Sequence, residues 1–289
     1  MDDSPGQFFV KYTAAMPVEI VDARAPVIAN RRLSADYNVL ALGAPAIAAH
    51  AEPGQFVMVK PSAVASDPLL RRPFSVFEIL RDPGGDPTGL TILSKRIGAS
   101  TQLLYDAEPG QLIACLGPLG RPFTLVDPPA EAFMVAGGVG LAPFATLAEA
   151  LRVRGVACTL FYGARSAHEL FCLEIFRALG VNLVLTTEDG SLGERGRIVA
   201  PLDRALTSRA PAPPLTVYAC GPERMLAATA QLSLQFRRPC QVSVERIMGC
   251  GLGGCYSCVV PMRSPGGGFH HVRSCLSGPV MPADQIVWD

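Results

Sequence analysis

Neither sign of charge is in excess in this sequence: 25 Lys and Arg face 25 Asp and Glu across 289 residues. No surplus of cations is left to neutralise phosphates, which argues against nucleic acid or an anionic membrane surface as the main partner. The opening residues, MDDSPGQFF, lack the basic region and the cleavable apolar run of a secretory signal, so none is expected. A continuous apolar span of ~20 residues, enough to cross a bilayer, is also missing. The longest uncharged run, Ala132 to Ala148, has 17 residues and carries Gly137, Gly138, Gly140 and Pro143 in its middle. A strand, a turn and a helix explain it better than a membrane span. Internal repeats and low-complexity tracts are absent. With 49% hydrophobic and 17% charged residues, the expectation is a globular cytoplasmic protein of about two domains, with a small third.

Nine cysteines are present. An odd number over a long chain in a reducing compartment is a poor disulfide framework, which leaves metal binding or buried thiols. Cys115, Cys158, Cys172, Cys220 and Cys240 are scattered singly among apolar neighbours and read as small buried hydrophobes. Cys250, Cys255, Cys258 and Cys275 are different. Their spacing is C-x4-C-x2-C, then sixteen residues, then C, the plant-type spacing of [2Fe–2S] ligation. Gly251, Gly253 and Gly254 would let the loop take positive φ and turn N–H groups toward sulfur. A four-thiolate zinc site is the competing reading, but such sites are usually built from two similar C-x2-C knuckles, and only one is present. His270 and His271 lack a C-x-H element and read as part of a polar loop. Glu245 reads as a salt-bridged structural carboxylate.

Along the chain, residues 16–127 show short β segments punctuated by Pro and Gly turns, including Val18–Val21, Tyr37–Leu42, Phe56–Lys60, Phe74–Leu80, Leu90–Ser94 and Gln111–Leu116. This pattern predicts an antiparallel β-barrel, with one short helix around Thr101–Tyr105. From 128 to 238 strands alternate with helices, which predicts an α/β domain with a parallel sheet. The expected helices are Leu141–Arg154, Glu169–Leu179, Leu202–Leu206 and Glu223–Gln235, and APAPP at 210–214 is a loop within this domain. Residues 239–289 form a small, irregular, cysteine-rich C-terminal subdomain.

Four motifs mark candidate binding sites. MVAGGVGLAPF (134–144) runs from a strand through glycines into a helix N-terminus, where a pyrophosphate could approach the backbone. No G-x-G-x-x-G is present, and a turn needed only for packing would look the same. YACGPERML (218–226) places Cys220-Gly221-Pro222 at a strand's carboxyl end. RRPFSVFEI (71–79) sets two arginines before a strand, and Arg suits phosphate. LSKRIGAST (93–101) could begin a helix with exposed N–H groups.

In this order, the motifs resemble the ferredoxin–NADP reductase superfamily: R-x-[FY]-S in a barrel, then G-G-x-G-x-[AG]-P, then C-G-P. RRPFS, EDGSLGERG (188–196) and the C-terminal E-R-x-M-x-C-G-x-G-x-C-x-x-C-V-V-P block followed by C-x-x-G-P-V narrow this further. They resemble the iron–sulfur electron-transfer subunits of NAD-dependent dihydroorotate dehydrogenases, over about residues 16 to 289. The resemblance implies FAD bound by Arg72, Pro73, Phe74 and Ser75, with Leu93, Ser94 and Lys95 lining the flavin site. It places Ser100 and Thr101 at the pyrophosphate, where relatives often have Gly-Thr. Gly137, Gly138, Gly140, Cys220, Gly221 and Pro222 would form the NAD site, and Cys250, Cys255, Cys258 and Cys275 would hold one [2Fe–2S] cluster. It further implies a partner, an FMN-containing dihydroorotate dehydrogenase catalytic subunit, in a heterotetramer of two plus two. This chain has no room for a barrel of ~250 residues that could oxidise dihydroorotate itself. Its role would be electron relay to NAD+ in pyrimidine (UMP) biosynthesis, with no catalytic acid or base. NADP is left open by Arg165 and Ser166 after the second parallel strand. Two other readings remain: a relay subunit of another NAD(P)-linked complex of ferredoxin–NADP oxidoreductase, sulfhydrogenase or sulfite reductase type, and a zinc-stabilised non-enzymatic binding module.

Overall fold

The computed structural model describes residues 19–61, 68–209 and 213–288. The first residues of the expected barrel, 16–18, and most of the 210–214 loop lie outside the described residues.

Strand β1 (Val21–Arg32) alternates, with Ala25 and Val27 buried while Asp22, Arg24, Pro26 and Ile28 face outward. The sequence pattern expected a strand ending at Val21. The structure instead begins one there, because Asp22, Arg24 and Pro26 all fall on the outward face of a period-two strand. β2 (Tyr37–Leu42), helix α1 (Pro45–Ala48), β3 (Phe56–Lys60), β4 (Arg72–Ser75), β5 (Glu78–Arg81), β6 (Pro87–Lys95), α2 (Ala99–Tyr105) and β7 (Leu112–Leu119) follow. The strands form an antiparallel sheet in the order β4-β3-β7-β1-β2-β6-β5. Its two ends meet, since only Val76 and Phe77 separate β4 from β5. Val76 N–H donates to the Gln55 carbonyl at 3.1 Å beside β3, and Phe77 N–H to that of Thr91 on β6 at 2.9 Å. The sheet therefore curls into the expected barrel.

One side chain fixes α2 to this barrel. Asn30 Nδ2 donates to the carbonyls of Leu104, Tyr105 and Ala107 at 3.1, 3.0 and 2.9 Å, and Asn30 Oδ1 accepts from Asn38. These carbonyls end a helix and have no partner within it. Asn30→Ala is expected to destabilise the protein by about 1–3 kcal/mol and loosen α2, measured as a lower denaturation midpoint. An unchanged midpoint would mean that water replaces the amide without loss.

The second sheet is built from β8 (Glu131–Gly137), β9 (Ala157–Ala164), β10 (Asn182–Thr187), β11 (Glu194–Arg195), β12 (Leu215–Cys220) and β13 (Cys240–Ser243). Helices α3 (Phe144–Val153), α4 (Leu173–Ala178), α5 (Val199–Thr207) and α6 (Glu223–Gln235) connect them. After β13 a separate hairpin, β14 (Val259–Arg263) and β15 (Phe269–Arg273), leads into α7 (Ser274–Ser277), and β16 (Val280–Pro282) returns to pair with β13. The order is β11-β10-β9-β8-β12-β13-β16, parallel except for β16. The cysteine block therefore lies between two strands of the second sheet. Two expected helices start late. Gly138–Leu141 forms a 3-10 turn before α3, and Cys172, at φ 55, interrupts the backbone before α4. His270 and His271 lie on β15 rather than in a loop.

A shared core joins barrel to sheet: Tyr37, Phe77 and Leu93 pack with Phe144, Phe171 and Tyr218. Phe77 and Phe144 are fully buried, worth about 1.5–3 kcal/mol each relative to exposure. The carboxyl edge of the parallel sheet is thus held against the barrel.

Candidate functional site: two facing turns and a cysteine block

β8 and β12 lie side by side, but the chain leaves β8 toward β9 on one side while β12 leads to β13 on the other. Their carboxyl ends border the crevice where parallel sheets bind ligands. In register, Cys220 lies opposite Ala136, so the two glycine turns meet. A Cβ on Gly140 would stand 2.2 Å from the Cys220 carbonyl oxygen and 2.6 Å from Gly221 Cα. One on Gly137 would meet Pro222 Cδ at 2.8 Å, and one on Gly221, at φ +147, would meet Gly137 N at 3.0 Å. These three glycines interlock the turns. Gly138 differs: its φ is +56 and nothing lies within 4 Å of its Cβ position, so its backbone faces open space. The sequence assigned all of them alike. Burial pushes the Cys220 thiol up to about 12, against an opposing hydrogen bond to Ser243, so it stays protonated at neutral pH.

On the barrel, β4 pairs with β3 so that Phe56 faces Ser75, Val57 Phe74, Met58 Pro73, and Val59 Arg72. Opposed residues share a sheet face. Val57, Val59 and Phe74 pack in the barrel core, whereas Phe56 and Met58 pack against Cys258 and Cys275. Pro73 and Ser75 therefore stand on the same outer face as the cysteine block's support. The two arginines divide. Arg71 holds both oxygens of Asp22 at 2.8 and 2.9 Å. Arg72 is exposed and bonds only the Leu70 and Arg71 carbonyls at 3.0 and 3.2 Å, with no carboxylate partner among the described residues.

Leu93 joins the shared core and Lys95 lies 5.1 Å from the centre of the Tyr37 ring. Ser94 is 1% exposed, and its Oγ has no hydrogen-bond partner among the described residues. An orphaned hydroxyl of this kind suits a missing polar ligand atom. Ser100 is buried in the first turn of α2. Thr101 Oγ1 accepts from Ile97 N–H at 2.8 Å and Gly98 N–H at 3.0 Å, so its hydroxyl is engaged within its own loop. At the end of β9, the Arg165 N–H donates to the Glu169 carboxylate at 3.2 Å.

The four block cysteines come together, Cys255 with Cys250, and Cys275 chiefly with Cys258 but also within reach of Cys250. No group of three His, Cys, Asp or Glu side chains among the described residues is set to hold a single metal ion. Four thiolates at this spacing suit a two-iron cluster, with two thiolates for each iron. The inner pair, Cys258 and Cys275, is buried at 2% each. Of the outer pair, Cys255 is exposed and Cys250 half-buried. Burial pushes Cys275 up to about 12, while hydrogen bonds from the Ser257 hydroxyl and backbone hold Cys255 down at about 6.

Gly251 and Gly253 take φ +73 and +81, and a Cβ on them would strike Met58 Cγ and Leu276 Cδ1, both at 2.5 Å. Gly254 has no positive φ and open space around it. Leu252 N–H points at Cys250 Sγ, 3.3 Å away. Two supporting residues escaped the sequence reading. Arg273 donates to the Gly253 carbonyl at 2.7 Å and covers the Tyr256 ring at 4.6 Å, while Tyr256 itself sits at φ 59. Met58 carries the block on the barrel. Both are non-local contacts with no motif of their own. Glu245 corrects its expectation. It is exposed and makes no ion pair among the described residues; the pair belongs to its neighbour Arg246 with Glu223, at 2.8 Å.

Comparison with known proteins follows the same division. Residues 245–287 match the family described as the iron–sulfur cluster binding domain of dihydroorotate dehydrogenase B, and 134–231 match the oxidoreductase NAD-binding domain. The dihydroorotate dehydrogenase B (NAD(+)) electron transfer subunit of Desulforamulus reducens is 36% identical over 92% of this chain and 98% of its own. That of Geobacillus kaustophilus is 38% identical over 90% and 96%. A solved structure of the NADH-dependent reduced ferredoxin-NADP oxidoreductase contains a chain that superposes with TM-score 0.79 at 25% identity, covering 92% of this chain and 91% of that one. With such identity sustained along nearly its whole length, the chain belongs to the family of dihydroorotate dehydrogenase B (NAD(+)) electron transfer subunits.

Proposed function

We propose that this chain relays electrons from the FMN of a dihydroorotate dehydrogenase catalytic subunit to NAD+, through one [2Fe–2S] cluster and FAD, in pyrimidine (UMP) biosynthesis. A flavin exchanges electrons singly or in pairs, which lets it stand between a one-electron cluster and a two-electron nicotinamide. The observation that carries this reading is the polarity of the thiols. The inner pair rests on Met58, whose strand partner is Pro73 of the flavin motif, and the outer pair is the more exposed of the two. One end of the cluster site thus adjoins the flavin strand and the other is open to a partner.

In this arrangement Cys258 and Cys275 hold the inner iron, and Cys250 and Cys255 the outer one. Arg72 takes a flavin phosphate, Pro73, Phe74, Ser75, Leu93 and Lys95 line the flavin, and the Ser94 hydroxyl gains its missing partner there. Ser100 offers its backbone to the pyrophosphate. Thr101 shapes the loop. Gly138 presents its backbone to the nicotinamide dinucleotide, while Gly137, Gly140, Gly221 and Pro222 hold the crevice open beside Cys220. The functional units are 16–127 for FAD, 128–238 for NAD and 239–289 for the cluster, the last anchored through β13 and β16. Two such chains assemble with two catalytic subunits, in the cytoplasm. All nine cysteines are free, in keeping with a reducing compartment. No helix among the described residues is long and apolar enough to cross a membrane.

Purified chain is expected to be reduced by NADH alone, faster than by NADPH, and by dihydroorotate only after the catalytic subunit is added. Reduction by dihydroorotate without that subunit would sink the relay reading. Arg72→Ala is expected to weaken FAD retention about tenfold, for the loss of one charge-assisted phosphate contact. Measured by flavin released on gel filtration, wild-type retention in the variant would place the phosphate elsewhere.

A further inference from the structure

The exposed end of the cysteine block carries a chain of two hydrogen bonds that ends on sulfur. Gly249 N–H donates to Ser257 Oγ at 2.9 Å, and Ser257 Oγ lies 3.1 Å from Cys255 Sγ. The local backbone is shaped for this contact. Tyr256, at φ 59, turns the chain between Cys255 and Ser257. A Cβ on Gly249 would stand 3.2 Å from Cys255 Sγ and 3.5 Å from Ser257 Oγ, so glycine lets both side chains close on its amide. Cys255 and Ser257 are both exposed.

Chemistry fixes the direction of the second bond. A cysteine that ligates iron does so as the thiolate and has no S–H to give, so Cys255 can only accept. Ser257 has one hydrogen and two lone pairs. Gly249 N–H takes a lone pair, which leaves the hydroxyl hydrogen for the sulfur. A plainer reading is that Ser257 only satisfies the Gly249 amide. That accounts for its oxygen but not for the sulfur beside its hydrogen, and water could serve an exposed amide equally well. The other donor at the outer thiols, Leu252 N–H to Cys250 Sγ, is main chain and comes with the loop whatever its side chains. Ser257 is a donor that the choice of residue adds.

We propose that Ser257 is a positioning residue that raises the reduction potential of the iron–sulfur cluster by donating its hydroxyl hydrogen to the Cys255 thiolate. The proposal rests on the relay reading above and deepens it. Reduction by one electron adds negative charge that spreads onto the ligand sulfurs. A donor aimed at one of them stabilises the reduced form more than the oxidised form. One electron arrives from the partner's flavin and one leaves to FAD; no bond to sulfur breaks, and Ser257 keeps its proton throughout. The test is a redox titration of the purified holoprotein followed by electron paramagnetic resonance, with iron content measured on the same samples. Ser257→Ala is expected to disfavour reduction about tenfold in its equilibrium constant, a fall of ~59 mV for one electron. Ser257→Thr keeps the hydroxyl and should stay near wild type. A Ser257→Ala protein at the wild-type potential would overturn the proposal. A Ser257→Thr protein that shares the fall, or either variant without its two irons, would assign the residue to the shape of the loop and overturn it as well. A wild-type protein with no [2Fe–2S] signal would bring down the relay reading itself, whereas a wild-type cluster whose potential ignores Ser257 overturns this proposal alone.

Discussion

Cys275→Ser is expected to abolish the iron–sulfur absorption and the iron content of the protein, and with them at least about a hundredfold of dihydroorotate-dependent NAD+ reduction, for loss of an obligatory carrier. NADH-driven ferricyanide reduction should persist, because the barrel and the crevice are built without this residue. Cys275 is 2% exposed and packs with Cys258, Phe56, Met58 and Met248. A serine hydroxyl there is a poor iron ligand and a buried polar group without a partner, costing about 1–3 kcal/mol in stability as well. Cys255→Ser separates the two effects. Cys255 is exposed, so its replacement should remove the same spectroscopic signal and lower the melting temperature only by what losing the cluster costs, less than Cys275→Ser does. Iron analysis, visible absorption and electron paramagnetic resonance of the reduced protein check both variants. A wild-type protein that is colourless and carries zinc would overturn the assignment, as would a Cys275→Ser protein with two irons per chain.

The contrast between these cysteines also shows what was legible in the sequence. The ligand spacing was legible because cluster chemistry dictates it locally: three of the four thiols lie within nine residues. The pairing of Cys250 with Cys255 and Cys258 with Cys275 was not, since it depends on how α7 returns under the loop. Helix α6 has the bounds its apolar periodicity predicts, Glu223–Gln235. By contrast, Phe56-Val57-Met58-Val59 is a continuous apolar run with no alternation to read. Both of its faces are buried, Val57 and Val59 by the barrel core, Phe56 and Met58 by the cysteine block. Sequence marks such a run as a strand and cannot say which face carries which neighbour. The same limit hid the division of labour between Arg71 and Arg72, because Asp22, which occupies Arg71, is distant in the chain. Strands β13 and β16, of four and three residues, are too short for any periodicity and form because β12 offers an edge to β13 and β13 offers one to β16. The hairpin β14–β15 was obscured by the glycines and histidines around its turn.

Gly140→Ala should be the most damaging single-methyl change at the crevice. The backbone at Gly140 has no positive φ, so the penalty is steric alone. The new Cβ would lie 2.2 Å from the Cys220 oxygen, 2.5 Å from its carbonyl carbon and 2.6 Å from Gly221 Cα. All three are backbone atoms at the end of β12, held in register with β8 from Leu215 to Cys220, so no side chain can rotate away. The turns must separate, at about 3 kcal/mol or more, the upper end of overpacking penalties. Misplacing the crevice should raise the NADH concentration needed for half-maximal flavin reduction about a hundredfold, since small displacements of positioning groups have effects of that order. Gly138→Ala provides the comparison. Its Cβ enters open space, and its φ of +56 costs a non-glycine residue about 1–2 kcal/mol. That variant should fold and keep FAD yet lose NADH affinity, because the methyl projects into the crevice where the dinucleotide approaches. Stopped-flow flavin reduction by NADH, with thermal melts of the same preparations, distinguishes the two. If Gly140→Ala melts and reacts like wild type, the interlocked turns do not set the crevice. If Gly138→Ala binds NADH normally, the dinucleotide passes on another side of the turn.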